Sequence, residues 1–159
     1  MIEYVGNIAD FWSEHFVDYA FPHRVNAGQR DYFHPNYSQP SAEILQAFGD
    51  EVPCKDQFMQ AVGAELGSVS LICLEPSQVI PVHKDSFYKL RQEHNVDIED
   101  CVRYLIFLQD WELGHFVEFR ETCITKWNKG DMWKFDSHSA HYAANASQTN
   151  FITCQVNTF

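Results

Sequence analysis

Three residues in this chain could together hold a metal ion. In VIPVHKDSF, His83 and Asp85 stand two apart at the end of a β-prone run. Alternate side chains of an extended strand share a face, so the pair presents one imidazole and one carboxylate side by side. A third donor is offered by WKFDSHSAHYAAN, where His141 opens a later β-run. Two His and one carboxylate on one face of an octahedron leave the opposite positions open, the ligand set of non-haem Fe(II) oxygenases. H-x-D by itself also fits a turn with a solvated Asp and a half-buried His, so the surrounding elements decide between the two. His138, three residues before His141, is expected to be a turn residue. His115 is read as structural, and Trp111, Trp127 and Trp133 as packing.

The elements that must position these side chains fall into two parts. From Ser68 onward the hydrophobic period is two. SVSLICLE, QVIPV, CVRYLIFLQ, HFVEF, CITKW, DMWKFD, SAHYAAN and NFITCQVNTF are eight short runs rich in Val, Ile, Phe, Tyr and Thr, separated by turn signals such as EPS and NKGD. An eight-stranded jelly roll sets its second strand beside its seventh, which would bring His83 and Asp85 to His141. Residues 1–67 read as helical support: one amphipathic helix in NIADFWSEHFVDYAF, a second in SAEILQAFGDE capped by Ser41, and a third in DQFMQAVGAELG ended by Gly67. The expected fold is mainly β with N-terminal helices, a double-stranded β-helix of jelly-roll or cupin type. It forms one domain over 1–159, with the β core at 68–159. The Pro-, Asn- and Gly-rich connection from Phe21 to Pro40 and the polar insertion from Ser86 to Asp100 are expected to border the barrel mouth.

Composition limits the partners. With 22 Asp and Glu against 11 Lys and Arg, a formal charge of −11 excludes a general nucleic-acid-binding surface, because phosphate binding needs neutralising cations. The 5 cysteines form no CxxC pair and lie largely in apolar runs, as expected for reduced, buried thiols in the cytoplasm. No stretch has the pattern of a secretory signal or a membrane span.

The second half, through LEPSQVIPVHKD, RYLIFLQDWELGHF and KWNKGDMWKFDSHSAHYAANAS, resembles the Fe(II)/2-oxoglutarate-dependent oxygenases. Within them it is similar to the aspartyl/asparaginyl β-hydroxylase-like group and the short oxygenases of phages. The resemblance implies iron held by His83, Asp85 and His141, 2-oxoglutarate and O₂ as co-substrates, and hydroxylation of a substrate with release of succinate and CO₂. The family carries a cation about ten residues after the distal His, where this chain has Asn150 and Phe151. Arg103, in the third β-run, is therefore the first candidate for the co-substrate carboxylate, with Asn150 and Tyr88 as further contacts and Lys89 and Lys134 behind them. Protein, metabolite and nucleobase substrates all stay open. Two other readings also fit the residues: a cupin-type metalloenzyme that does not use 2-oxoglutarate, and a non-catalytic jelly-roll binding module.

Overall fold

The computed structural model describes residues 1–26 and 43–159. In chain order the elements are β1 (Ile2–Asn7), α1 (Ser13–Phe16), β2 (His23–Asn26), β3 (Glu43–Phe48), α2 (Lys55–Ala61), β4 (Ser68–Leu74) and β5 (Val79–His83). They continue with α3 (Tyr88–His94), β6 (Val102–Phe107), β7 (His115–Phe119), β8 (Thr122–Ile124), β9 (Asp131–Asp136), β10 (His141–Asn145) and β11 (Phe151–Thr158). Two antiparallel sheets form, one ordered β1-β9-β6-β11-β4-β3-β2 and one ordered β5-β10-β7-β8. The eight β-runs read from the sequence are β4 to β11, and most successive strands pass from one sheet to the other. This is the double-stranded β-helix, and it sets β5 beside β10.

Strand alternation explains how the major sheet serves two cores. On β11, Ile152, Cys154 and Val156 face outward onto a cluster built around Trp12 and Phe58. Phe151 and its inward-facing neighbours turn to the barrel, where Leu74, Leu105, Phe107 and Phe135 join it. Along each central strand the inward face changes character at the same end of the barrel. Ser68 and Ser70 open β4, Arg103 opens β6, and Gln155 and Asn157 close β11, whereas Leu74, Phe107 and Phe151 fill the opposite end. The antiparallel register Asn157↔Ser68 and Asn157↔Arg103 stacks these polar positions into one band. The barrel is thus solid at one end and polar at the other.

The N-terminal part departs from the expected helices. The run from Asn7 to Phe21 contains only the four-residue α1, followed by Asp18 in the left-handed region at φ 64°. Asp10 does accept a hydrogen bond from the Ser13 backbone N–H at 3.1 Å, as a capping residue should. Ile8, Phe11, Trp12, His15, Phe16 and Tyr19 recur at helical three- and four-residue spacing because the run is dense in aromatic residues. Phe11, Phe16, Tyr19 and Phe21 pack edge-to-face as an apolar cover for the outer sheet face. The segment expected to be a second helix is instead β3 followed by a 3-10 turn at Gly49–Glu51. Pairing with β4, Leu45↔Cys73 through Phe48↔Ser70, outweighs helix propensity. The third expected helix is present as α2, but it ends before Gly63 at φ 70° rather than at Gly67. Ser41 and residues 27–40 of the long connection lie outside the described residues.

The cysteines are all free thiols; Cys73, Cys101 and Cys154 are buried, while Cys123 is exposed. Among the described residues no helix is long and apolar enough to cross a membrane. Trp12 is 1% exposed and donates its indole N–H to the Leu108 carbonyl at 3.2 Å, tying the cover to the barrel. Trp12→Ala is expected to cost ~3–5 kcal/mol, read as a shift of the denaturant midpoint at unchanged slope.

Candidate metal centre

His83 ends β5 and His141 begins β10, and the two residues are paired directly across the strands. Their rings lie 4.4 Å apart between centroids, and the His141 ring is wedged against Phe119 and Phe135. Each imidazole engages a backbone carbonyl two residues earlier through Nδ1, His83 with Pro81 O at 2.8 Å and His141 with Ser139 O at 2.9 Å. A carbonyl accepts only, so both Nδ1 atoms carry the proton and both Nε2 lone pairs are free for a metal.

Asp85, just past β5, lies between these nitrogens and is buried. Its Oδ1 is 3.6 Å from His83 Nε2 and its Oδ2 is 3.9 Å from His141 Nε2. The three donor groups lie within 4.8 Å of one another. Two donors each ~2.1 Å from one ion stand up to ~4.2 Å apart, so both carboxylate-to-imidazole spacings suit a shared cation. Asp85 Oδ2 has no hydrogen-bond partner among the described residues. An orphaned buried carboxylate oxygen facing a lone-pair nitrogen is costly unless a cation occupies the space.

Arg103 supplies the countercharge. Its Nη1 is 2.9 Å from Asp85 Oδ1, its Nε donates to Asn157 Oδ1 at 2.7 Å, and its guanidinium carbon lies 5.6 Å over the Phe87 ring. Asn157 in turn donates to Ser68 Oγ at 3.1 Å. A side chain at Gly67 would meet the Asn157 carbonyl oxygen at 2.2 Å, so only glycine allows this close approach. Burial pushes the Asp85 carboxyl upward, but Arg103 and the two imidazoles outweigh it and hold the group below the usual carboxylate range. Burial drives His141 down to about 4, against the attraction of Asp85. His83 is also penalised by burial, yet the nearby Asp85 carboxylate and the bond to the Pro81 carbonyl leave it above the ordinary value.

A pH dependence follows for the metal-free protein. The folded His141 value is depressed, so between about 6.5 and about 4 the unfolded chain binds more protons at this site. Stability is fully present above that window and is lost as the pH falls through it, by up to ~1.4 kcal/mol per pH unit for one group. His83 acts in the opposite sense. His141→Gln is therefore expected to flatten the decline between pH 6.5 and 4 relative to wild type in urea titrations.

The centre opens onto a cavity of about 1080 Å³. Its walls include Gln46, Ser70, Gln155 and Asn157 from the inner face of the major sheet, and Lys89 and Glu93 from α3. The insertion from Ser86 to Asp100 thus borders the mouth, held by Phe87, Leu90 and Cys101. The polar sheet residues were not singled out in the sequence, although the polar ends of β4 and β11 carry that signal.

Other expected site residues lie elsewhere. Asn150 does not border this cavity; it precedes β11 at the far end of the barrel, where its carbonyl accepts from Gln109 and it lines a separate concavity with Tyr19 and Arg24. Tyr88 is 65% exposed and turned away, because the helical turn of α3 gives the cavity Lys89 and Glu93 instead. Lys134 lies over the Tyr104 ring, which packs against the outer cluster. His138 pairs with Glu99 on the surface. His115 is fully buried, stacked on Phe151 and bonded to Ser147, with Trp127 packed beside it.

No protein-family model matches the chain, and no curated protein matches it. Solved structures similar to it include a predicted oxalate decarboxylase from Thermotoga maritima, at 14% identity over 75% of this chain and 83% of that one with a TM-score of 0.47. A protein from Photorhabdus luminescens is 10% identical over 80% of this chain and 86% of that one, with a TM-score of 0.48. A Cupin 2 conserved barrel domain protein from Salinispora arenicola is 10% identical over 76% and 80% of the two chains, with a TM-score of 0.46. Likeness at this level carries nothing about chemistry. The fold is fixed by the strand order and register of the chain itself: a double-stranded β-helix whose second and seventh core strands bring together His83, Asp85 and His141.

Proposed function

We propose that the protein is an Fe(II)- and 2-oxoglutarate-dependent oxygenase acting in the cytoplasm, with His83, Asp85 and His141 holding the iron. The observation that carries the reading is the convergence of two backbone-tethered imidazoles on a buried carboxylate whose second oxygen has no partner. When bound, iron and 2-oxoglutarate supply the activation of O₂, with succinate and CO₂ as by-products. Arg103 receives a co-substrate carboxylate. Its guanidinium is oriented by Asn157 and Phe87, and it borders the open cavity. Lys55, Lys84, Lys89 and Arg103 border this cavity together with Asp50, Asp85 and Glu93, and Lys55, Lys89 and Arg103 are paired with those carboxylates, so the wall carries one cation in excess for an anionic co-substrate. The substrate enters beside α3, and its class stays open among protein side chains, metabolites and nucleobases.

Anaerobic titration with Fe(II) and then 2-oxoglutarate is expected to produce the weak visible charge-transfer band of the chelate. O₂ should then release succinate. Intact protein that gives neither signal would count decisively against the reading.

A metalloenzyme that keeps the triad without 2-oxoglutarate is the second reading. It is favoured by Phe151 filling the barrel after Asn150, where the family carries a cation, and by the engagement of Arg103 with Asp85. Metal retention with O₂ consumption but no succinate would select it. A non-catalytic binding module is selected instead by metal content that is unchanged in both His83→Ala and His141→Ala.

A further inference from the structure

Facing β5 across the large cavity, the inner face of the major sheet carries a strip of uncharged polar side chains. Ser70 on β4 is paired with Gln155 on one side and with Phe48 on the other, and antiparallel partners share a face. Gln46, two positions before Phe48, points the same way. The side chains of Gln46, Ser70 and Gln155 are half-buried, and among the described residues none of the three has a hydrogen-bond partner. Gln155 and His83 line this cavity together and also share a smaller recess between the sheets, so the strip reaches the triad. We propose that Gln46, Ser70 and Gln155 read the substrate, and that it is an uncharged nitrogen heterocycle, a nucleobase presented as the free base or nucleoside.

The two walls select this class. The strip offers carboxamide donors and acceptors and a hydroxyl, with no charge, and a carboxamide pairs two-pronged with a base edge as Gln does with adenine. The facing wall from β5 is aliphatic at Ile80, Pro81 and Val82, and Phe48 stays 40% exposed at the end of the strip. A flat heterocycle has hydrogen-bonding groups at its edge and apolar π faces, so it suits a polar wall, an aliphatic wall and an aromatic ring together. A sugar carries hydroxyls all round its ring and would desolvate some of them against β5, whereas an alkyl chain would leave the strip unpaired. Charge disfavours the polymer, because a phosphate backbone meets a chain of formal charge −11. Recognition of the ring does not depend on the oxygenase reading; its role as the oxidised substrate rests on it.

NMR titration of the full chain tests this, with 2-oxoglutarate present and Zn(II) as a diamagnetic stand-in for iron. The readout is the pair of side-chain amide signals from Gln46 and Gln155, assigned through Gln46→Leu and Gln155→Leu. Adenosine and uridine are expected to shift both signals and to bind about tenfold more tightly than glucose or N-acetylasparaginamide. Gln155→Leu and Ser70→Ala are each expected to weaken nucleoside binding about tenfold, with Fe(II) and 2-oxoglutarate affinities unchanged. Gln155→Glu keeps the shape and the acceptors but loses the donors, and it is expected to weaken binding as leucine does. A single-stranded oligonucleotide of the same bases is expected to bind more weakly; tighter binding overturns the free base or nucleoside as the form recognised. Equal binding of glucose or N-acetylasparaginamide, or full nucleoside affinity in Gln155→Leu, overturns the inference. Nucleoside binding in protein that forms no iron chelate supports the strip and removes the oxygenase reading alone. Succinate release by protein that binds no nucleoside does the reverse.

Discussion

Asp85→Ala protein is expected to lose Fe(II) affinity by more than about 100-fold, since disturbing even a residue that merely supports a ligand costs ~10–100-fold. Turnover falls with it. The same substitution carries a second, independent effect on the metal-free protein. Arg103 has only 13% of its side chain exposed and owes its countercharge to the carboxylate 2.9 Å away. Removing one partner of such a pair leaves an uncompensated buried charge, at a cost of ~3–5 kcal/mol. Isothermal titration with Fe(II) under anaerobic conditions measures the first effect, and urea unfolding of the metal-free variant measures the second. The double variant Asp85→Leu, Arg103→Leu separates them: it is expected to recover much of the lost stability and none of the metal binding. Metal binding retained in Asp85→Ala would place the ion elsewhere and remove this carboxylate from the centre.

Arg103→Leu is expected to raise the KM for 2-oxoglutarate by about 100-fold, the loss of one charge-assisted pair at ~1.5–3 kcal/mol. Lysine is not expected to rescue it. The guanidinium donates to Asp85 through Nη1 and to Asn157 through Nε from one rigid fork, and the single nitrogen of an ammonium cannot occupy both positions. Asn157→Ala gives a smaller rise, because it frees the guanidinium without removing its charge. Steady-state assays at varied 2-oxoglutarate, with Fe(II) affinity measured separately, distinguish this role from simple support of Asp85. If Arg103→Leu weakens Fe(II) binding and leaves the co-substrate KM unchanged, the residue is a countercharge to the ligand and the anion site lies elsewhere, with Lys55, Lys84 and Lys89 the other cations on the cavity wall.

Much of the β core was legible from residue order. Period-two alternation needs only local sequence, so β4 to β11 could be counted and ordered, and a jelly-roll strand order then pairs the second run with the seventh. The same alternation placed His83 and Asp85 together and selected His141, which opens a strand, over His138, which remains on the surface with Glu99. Pattern misled where the cause was not local. The aromatic spacing from Phe11 to Phe21 matches a helix, yet those rings are spaced to cover a sheet face made by distant residues, from Ala47 to Val156. The segment around Ile44 to Phe48 has helix-forming residues, but an edge of β4 is available to it, and pairing there, with β2 on the other side, gives its backbone groups partners.

The sequence by itself determined the chemical types on offer: two imidazoles and a carboxylate on strand ends, a reduced set of thiols and an acidic surface. Only the tertiary structure decided which cation meets them. Arg103 reaches Asp85 because β6 and β11 are neighbours in register, Arg103 against Asn157, whereas Asn150 is carried to the opposite end of the barrel by the length of that same strand. A strand rises ~3.3 Å per residue, so seven positions along β11 separate the floor of the barrel from its mouth, and no local pattern records which end a side chain will occupy.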